Sequence, residues 1–104
     1  MSAHYLIHLV DEQGSLLAET QDATGLIDEV LVPHSNRCRG LARHMDPYGK
    51  TSFNGMQCEA LLDEFAAIQL DALMTDQCAV MKQLNELLRL AKKEVHLHLV
   101  FLGD

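Results

Sequence analysis

The sequence carries none of the short motifs that announce a known catalytic chemistry. There is no GxSxG elbow, no HExxH, no GxGxxG and no phosphate loop. Gly49-Lys50-Thr51 has the ending of a phosphate loop, but His44 stands where the leading glycine belongs. No stretch approaches the ~18 consecutive apolar residues of a membrane span. Met1-Ser2-Ala3-His4 also lacks the basic start and apolar core of a secretion signal. A cytoplasmic protein with no membrane role is therefore expected. Cysteine is sparse and odd in number: Cys38, Cys58 and Cys78 stand twenty residues apart. That spacing indicates neither a disulfide framework nor a CxxC metal knuckle, and Cys58 and Cys78 read as small buried hydrophobes on apolar faces. Linkers, repeats and low-complexity tracts are missing too, so a single domain over residues 1–104 is expected.

Basic residues are absent from the first third. Residues 1–32 hold six acids (Asp11, Glu12, Glu19, Asp22, Asp28 and Glu29) and no Lys or Arg. Residues 33–50 reverse this, with Arg37, Arg39, Arg43 and Lys50 against Asp46 alone. The net charge of −7 repels phosphate backbones, which argues against nucleic acid and for a basic protein partner.

What is present is periodicity. His4–Val10 is apolar and rich in strand formers, Asp11-Glu12-Gln13-Gly14 is a turn, and Ser15–Thr20 resumes, which together predict a hairpin. Gly25–Val32 fits two readings, a helix by the spacing of Leu26, Ile27, Val30 and Leu31, or a short strand stopped by Pro33. Arg39–Met45 is a third strand or a helical turn, and Asp46-Pro47-Tyr48-Gly49 has type I turn chemistry.

A helix is predicted from Asn54 to about Leu73, with Asn54 as cap, Gln57 completing a capping box and Phe53 stapling onto Cys58. A second runs from Thr75 or Asp76 to Lys93, and a final strand spans Val95–Leu102 with Val95, Leu97, Leu99 and Phe101 facing inward. The expected class is α+β: a mainly antiparallel sheet, built from the N-terminal hairpin and the C-terminal strand, with two consecutive helices on one face.

Two polar groupings qualify as candidate sites. His4 and His8 share a strand face, as do His96 and His98, and the four imidazoles could meet over a metal if the first and last strands were neighbours. Without an acid or thiol at ligand spacing, they read instead as the wet face of a half-exposed sheet, and no metal or other cofactor is assigned. The second grouping is Arg43, His44, Asp46, Tyr48 and Asn54. Turn and cap chemistry accounts for Asp46 and Asn54, whereas Arg43, His44 and Tyr48 have no structural task, so this is the leading binding surface. Catalytic residues are not assigned. The paired acids Asp28-Glu29 and Asp63-Glu64 read as solvated faces.

The run Asp46-Pro47-Tyr48-Gly49-Lys50-Thr51-Ser52-Phe53-Asn54, with His96 to Gly103-Asp104 at the close, resembles a group of small bacterial proteins without an established activity. That group pairs an Asp-x-Tyr-Gly-x-Thr-x-Phe-Asn core with a terminal strand ending in Gly-Asp. The resemblance covers roughly residues 38–104 and implies a bacterial cytoplasmic protein. Lys50 stands where the pattern has an acid, so no charge-based role follows there.

The functional expectation is a non-enzymatic binding protein that holds a basic protein partner, an immunity-type inhibitor being one concrete form. The alternative is a small enzyme or a ligand- or metal-binding domain centred on residues 43–54. A subunit that self-associates through its exposed sheet face or an edge strand is a third reading.

Overall fold

Chain reversal at Asp11–Gly14 sets up the first two strands, β1 (Tyr5–Val10) and β2 (Leu16–Asp22). Asp11 Oδ1 accepts hydrogen bonds from the amides of Gln13 and Ser15, both at 2.9 Å. Gly14 turns the chain at φ +83°, a conformation glycine adopts without steric cost. The computed structural model describes residues 4–103, so Asp104 of the Gly-Asp ending lies outside the described residues.

β2 runs two residues past Thr20 to a fully buried Asp22. The Asp22 carboxylate accepts hydrogen bonds from Thr24 N, Thr24 Oγ1, Leu26 N and Ile27 N at 2.7–3.3 Å. Those donors are the free amides of a starting helix, so Asp22 fastens it to the sheet. The helical reading of residues 25–32 therefore holds, and the strand reading does not. A wide turn over Ile27–Leu31, in which Val32 N–H reaches the Ile27 carbonyl, leads into α1 (Val32–Cys38). Pro33 explains the widening: it has no N–H to donate, and its ring would crowd the carbonyl four residues back in a regular helix. Arg39, at φ +57°, ends α1. Leu41–His44 is a single tight helical turn, not a strand.

The strand missed in the sequence lies just beyond, as β3 (Lys50–Asn54). It hands over directly to α2 (Gly55–Phe65) through the expected box, Asn54 Oδ1 accepting from Gln57 N and Gln57 Oε1 from Asn54 N, each at 2.9 Å. α2 stops eight residues before the expected Leu73. With α3 (Thr75–Lys93) beginning where predicted, a helix to Leu73 would leave one residue, Met74, to reverse the chain, too few for an antiparallel helix pair. Leu70–Ala72 instead forms one turn of 3₁₀ helix inside the connection.

The last strand, β4 (His98–Gly103), is shorter at its start than expected, and Val95 is 84% exposed rather than facing the core. The sheet order is β2-β1-β4-β3, with every pair antiparallel. The architecture is α+β. Tyr5, Ile7, Leu9, Phe53, Leu99 and Phe101 on one sheet face share a hydrophobic core with Leu61 and Phe65 of α2 and Met81, Leu84 and Leu88 of α3. Burying each such aliphatic side chain contributes about 1.5–3 kcal/mol. Phe53 and Phe101 meet edge to face at 5.6 Å, worth about 1 kcal/mol more. No helix of the described residues is long and apolar enough to cross a membrane.

Candidate functional site

The turn that carries Tyr48 is held from several sides. Asp46 N donates to Thr51 Oγ1 at 2.9 Å, Tyr48 N to Asp46 Oδ1 at 2.9 Å, and Gly49 N to the Asp46 carbonyl at 3.3 Å. From the far end of the chain, Gly103 N donates to the Gly49 carbonyl at 2.7 Å. A Cβ at Gly103 would fall 2.5 Å from Asp46 O and Pro47 O. The two halves of the resemblance motif thus meet in space, Gly103 giving the bare surface on which Asp46–Gly49 sits. Tyr48 projects from this fixed turn with 86% of its surface exposed.

The other candidates in the segment do not converge into a pocket. Arg43 and His44 are exposed on the Leu41–His44 turn, where Arg43 Nε donates to His44 Nε2 at 3.4 Å. Arg43 N is tied to Ser35 Oγ at 2.8 Å. Asp46 is occupied by its own turn, and Asn54 caps α2 at the opposite end of β3 from Tyr48. Arg43, His44, Asp46 and Tyr48 therefore form one loop surface, from which Asn54 is separate.

The histidines divide as well, although β1 and β4 are neighbours. Their antiparallel register sets His8 against Val100 and His98 against Val10, so His8 and His98 are diagonal neighbours on one face. His96 precedes β4 and His4 precedes β1, at opposite ends of the ladder. Each of two histidines has its own acid: His8 Nε2 lies 3.3 Å from Glu19, and His96 Nδ1 3.1 Å from Glu12. Among the described residues, no group of three or more His, Cys, Asp or Glu side chains could hold a metal ion.

The exposed sheet face, on which the sequence reading put the histidines and a possible self-association, is the face opposite the helices. Register places twelve residues on it in three rows: Gln21, Leu6, Leu102, Lys50; then Glu19, His8, Val100, Ser52; then Leu16, Val10, His98, Asn54. The two central strands supply an apolar strip of Leu6, Val10, Val100 and Leu102, interrupted by His8 and His98. The edge strands supply a largely polar rim, with Glu19 on the β2 side and Lys50 on the β3 side. Leu6 is 43% exposed and Leu16, at one corner, 51%, whereas Val10 and Leu102 are half-buried and Val100 is buried. The signal was present in β1: Tyr5-Leu6-Ile7-His8-Leu9-Val10 is apolar on both faces, the pattern of a strand with something on each side.

Two groups on the core side, Cys58 and Tyr5, have raised pKa values. Burial pushes the Cys58 thiol up to about 12, against a slight opposing pull from the Leu99 backbone. Burial, with the nearby charges of Asp28, Asp46 and Asp22, raises the Tyr5 phenol. Cys58 is fully buried and Cys78 half-buried, whereas Cys38 is exposed.

Comparison with known proteins finds no matching family model, no matching curated protein and no matching solved structure.

Proposed function

We propose that this chain is a non-enzymatic binding module that engages a basic protein partner across the open face of its sheet. The observation that carries the reading is the arrangement of that face: an apolar strip on β1 and β4, bordered by polar edge strands. An apolar centre within a polar rim is the anatomy of a protein interface. A basic partner is inferred from Glu19, beside the strip on β2, and from the net charge of −7. Opposite charge steers association and weakens as salt screens it. An immunity-type inhibitor covering a basic effector is one form such a module takes. Tyr48, fixed on its turn two residues before Lys50, supplies an exposed aromatic of the kind that anchors interfaces.

The test uses the full chain as bait in a bacterial lysate, in parallel with Leu6→Asp and Glu19→Lys, both at exposed positions. The expected result is a basic protein, identified by mass spectrometry, that is retained by the native chain and lost by Leu6→Asp. Glu19→Lys should weaken it most at low salt. Equal retention by all three baits, or an acidic protein as the specific partner, would overturn the reading. A dimer in sedimentation that Leu6→Asp dissociates would reassign the face to self-association.

A further inference from the structure

β2 is one outer edge of the sheet, paired with β1 on one side and with no strand on the other. Among the described residues, no backbone hydrogen bond joins Leu16–Asp22 to any segment but β1, so the outer N–H and C=O groups of the strand are left to solvent. Proteins blunt such an edge with lysine, proline, an inward charge or a very short strand. The opposite edge, β3, is five residues long and starts at Lys50. β2 is seven residues long and holds no Lys, Arg or Pro. Its one inward charge, Asp22, sits at the far end and is spent on the helix that follows.

The two sides of this edge differ. Leu9 pairs with Ala18 and Val10 with Leu16, which makes Leu17 the extra residue of a bulge at the start of β2. The bulge turns Leu17 to the helix side, where with Ala18, Leu90 and Leu97 it lines an open groove of about 400 Å³, completed by Lys93 and Glu94. Leu17 is 53% exposed and Leu90 46%, so the groove is apolar and uncovered. On the other side, β2 presents Glu19 and Gln21 to solvent. A chain lying along the edge sends alternate side chains to the two sides, one set over the groove and one set beside Glu19.

The sign of the occupant follows from Glu19. A second copy of this chain is a poor fit, because Leu16–Asp22 centres on Glu19 and antiparallel self-pairing along the strand sets Glu19 against its own mate. Like charges directly opposite destabilise a ladder, whereas opposite charges support it.

We propose that β2 takes up an extended segment of the basic partner as a fifth strand, in which apolar side chains over the Leu17–Leu90 groove alternate with basic side chains beside Glu19. This mode of binding rests on the basic partner proposed above. Main-chain hydrogen bonds supply the affinity and the alternation supplies the selection.

The probe is an acetylated and amidated hexapeptide of alternating lysine and valine, titrated into the full chain at millimolar concentration and followed by amide NMR. The Ala18–Gln21 amides should shift saturably. An isomer with three lysines followed by three valines, equal in charge and composition, should bind at least about tenfold more weakly. Successive N–H groups of a strand point to opposite edges, so N-methylation of the lysine amides or of the valine amides should weaken binding at least about tenfold, and only one of the two should do so. Leu17→Lys and Glu19→Lys, both at exposed positions, should each weaken it to a similar extent. Unmoved β2 amides, equal binding of the isomer, or the same effect from both methylated peptides would overturn the proposal. So would a captured basic protein that the peptide fails to displace, a result that leaves the reading of the open face standing. Peptide bound at β2 with no basic protein captured would remove that reading instead and uphold the edge site.

Discussion

Adding one methyl group at Gly103 tests the link between the end of the chain and the Tyr48 turn. Gly103 is not at a positive φ, so alanine meets no backbone strain there. The cost is steric. The new Cβ would lie 2.5 Å from Asp46 O, Pro47 C and Pro47 O, all backbone atoms. Carbon and oxygen prefer a separation nearer 3.5 Å, so the turn must retreat by up to about an ångström, and no side-chain rotation relieves it. Overpacking of this kind costs about 1–3 kcal/mol. The retreat also stretches the 2.7 Å bond from Gly103 N to the Gly49 carbonyl, worth about 1 kcal/mol. Gly103→Ala should therefore destabilise by about 2–4 kcal/mol, lowering the melting temperature of a domain this size by roughly 10 °C or more. Gly14→Ala is the control. Its Cβ would meet open space at φ +83°, so only backbone strain of about 1 kcal/mol applies. The assay is a thermal or urea melt of each variant, with amide NMR of the Asp46–Lys50 segment. A melt of Gly103→Ala within a degree or two of the native chain, with those amides unmoved, would refute the contact.

Replacing Asp22 by Ala strands the amides of Thr24 and Ile27, Leu26 N keeping Thr24 Oγ1 at 3.3 Å, and should cost about 3 kcal/mol in a urea melt; a loss below about 1 kcal/mol would mean the carboxylate is not their acceptor. Asn54→Ala removes one arm of the α2 capping box and should cost about 1 kcal/mol in the same assay, an unchanged midpoint contradicting it. Thiol reagents should label Cys38 in the folded protein, Cys78 more slowly, and Cys58 only after denaturation; native labelling of Cys58 would contradict its burial. The Tyr5 and Cys58 pKa values are both raised on folding, so their stabilising terms are fully present below the unfolded values and are lost as pH rises through the folded ones. Stability from Cys58 should thus decline between its ordinary value of 9.0 and about 12, and Cys58→Ala should flatten part of that decline in pH-dependent melts.

Elements with strong local signals were legible in the sequence. The Asp11–Gly14 turn, the Asn54–Gln57 box and the long amphipathic stripe of α3 are each written within a few consecutive residues, and each stands where expected. β3 was illegible because Lys50–Asn54 is an edge strand with one buried residue, Phe53; its strand character comes from pairing with β4, over forty residues away. The end of α2 was misjudged by following apolar spacing through Ile68 and Ala72 without leaving room for the reversal before α3. Asp22 counted only as one of six acids in the first third, since nothing local shows that four donors converge on it. For the candidate site, Tyr48 and its turn were legible, but the support from Gly103 and the separation of Asn54 were not, both being set by sheet register. The histidine pairs show the same dependence: adjacency of β1 and β4 was a fair supposition, yet antiparallel register brings together only His8 and His98.

The most direct test of the binding reading is methyl cross-saturation NMR on the complex with the captured basic partner. The prediction is attenuation of the Leu6, Val10, Val100 and Leu102 methyls, which lie together on the open sheet face. Attenuation confined to methyls of the helical layer, with those four unchanged, would contradict it.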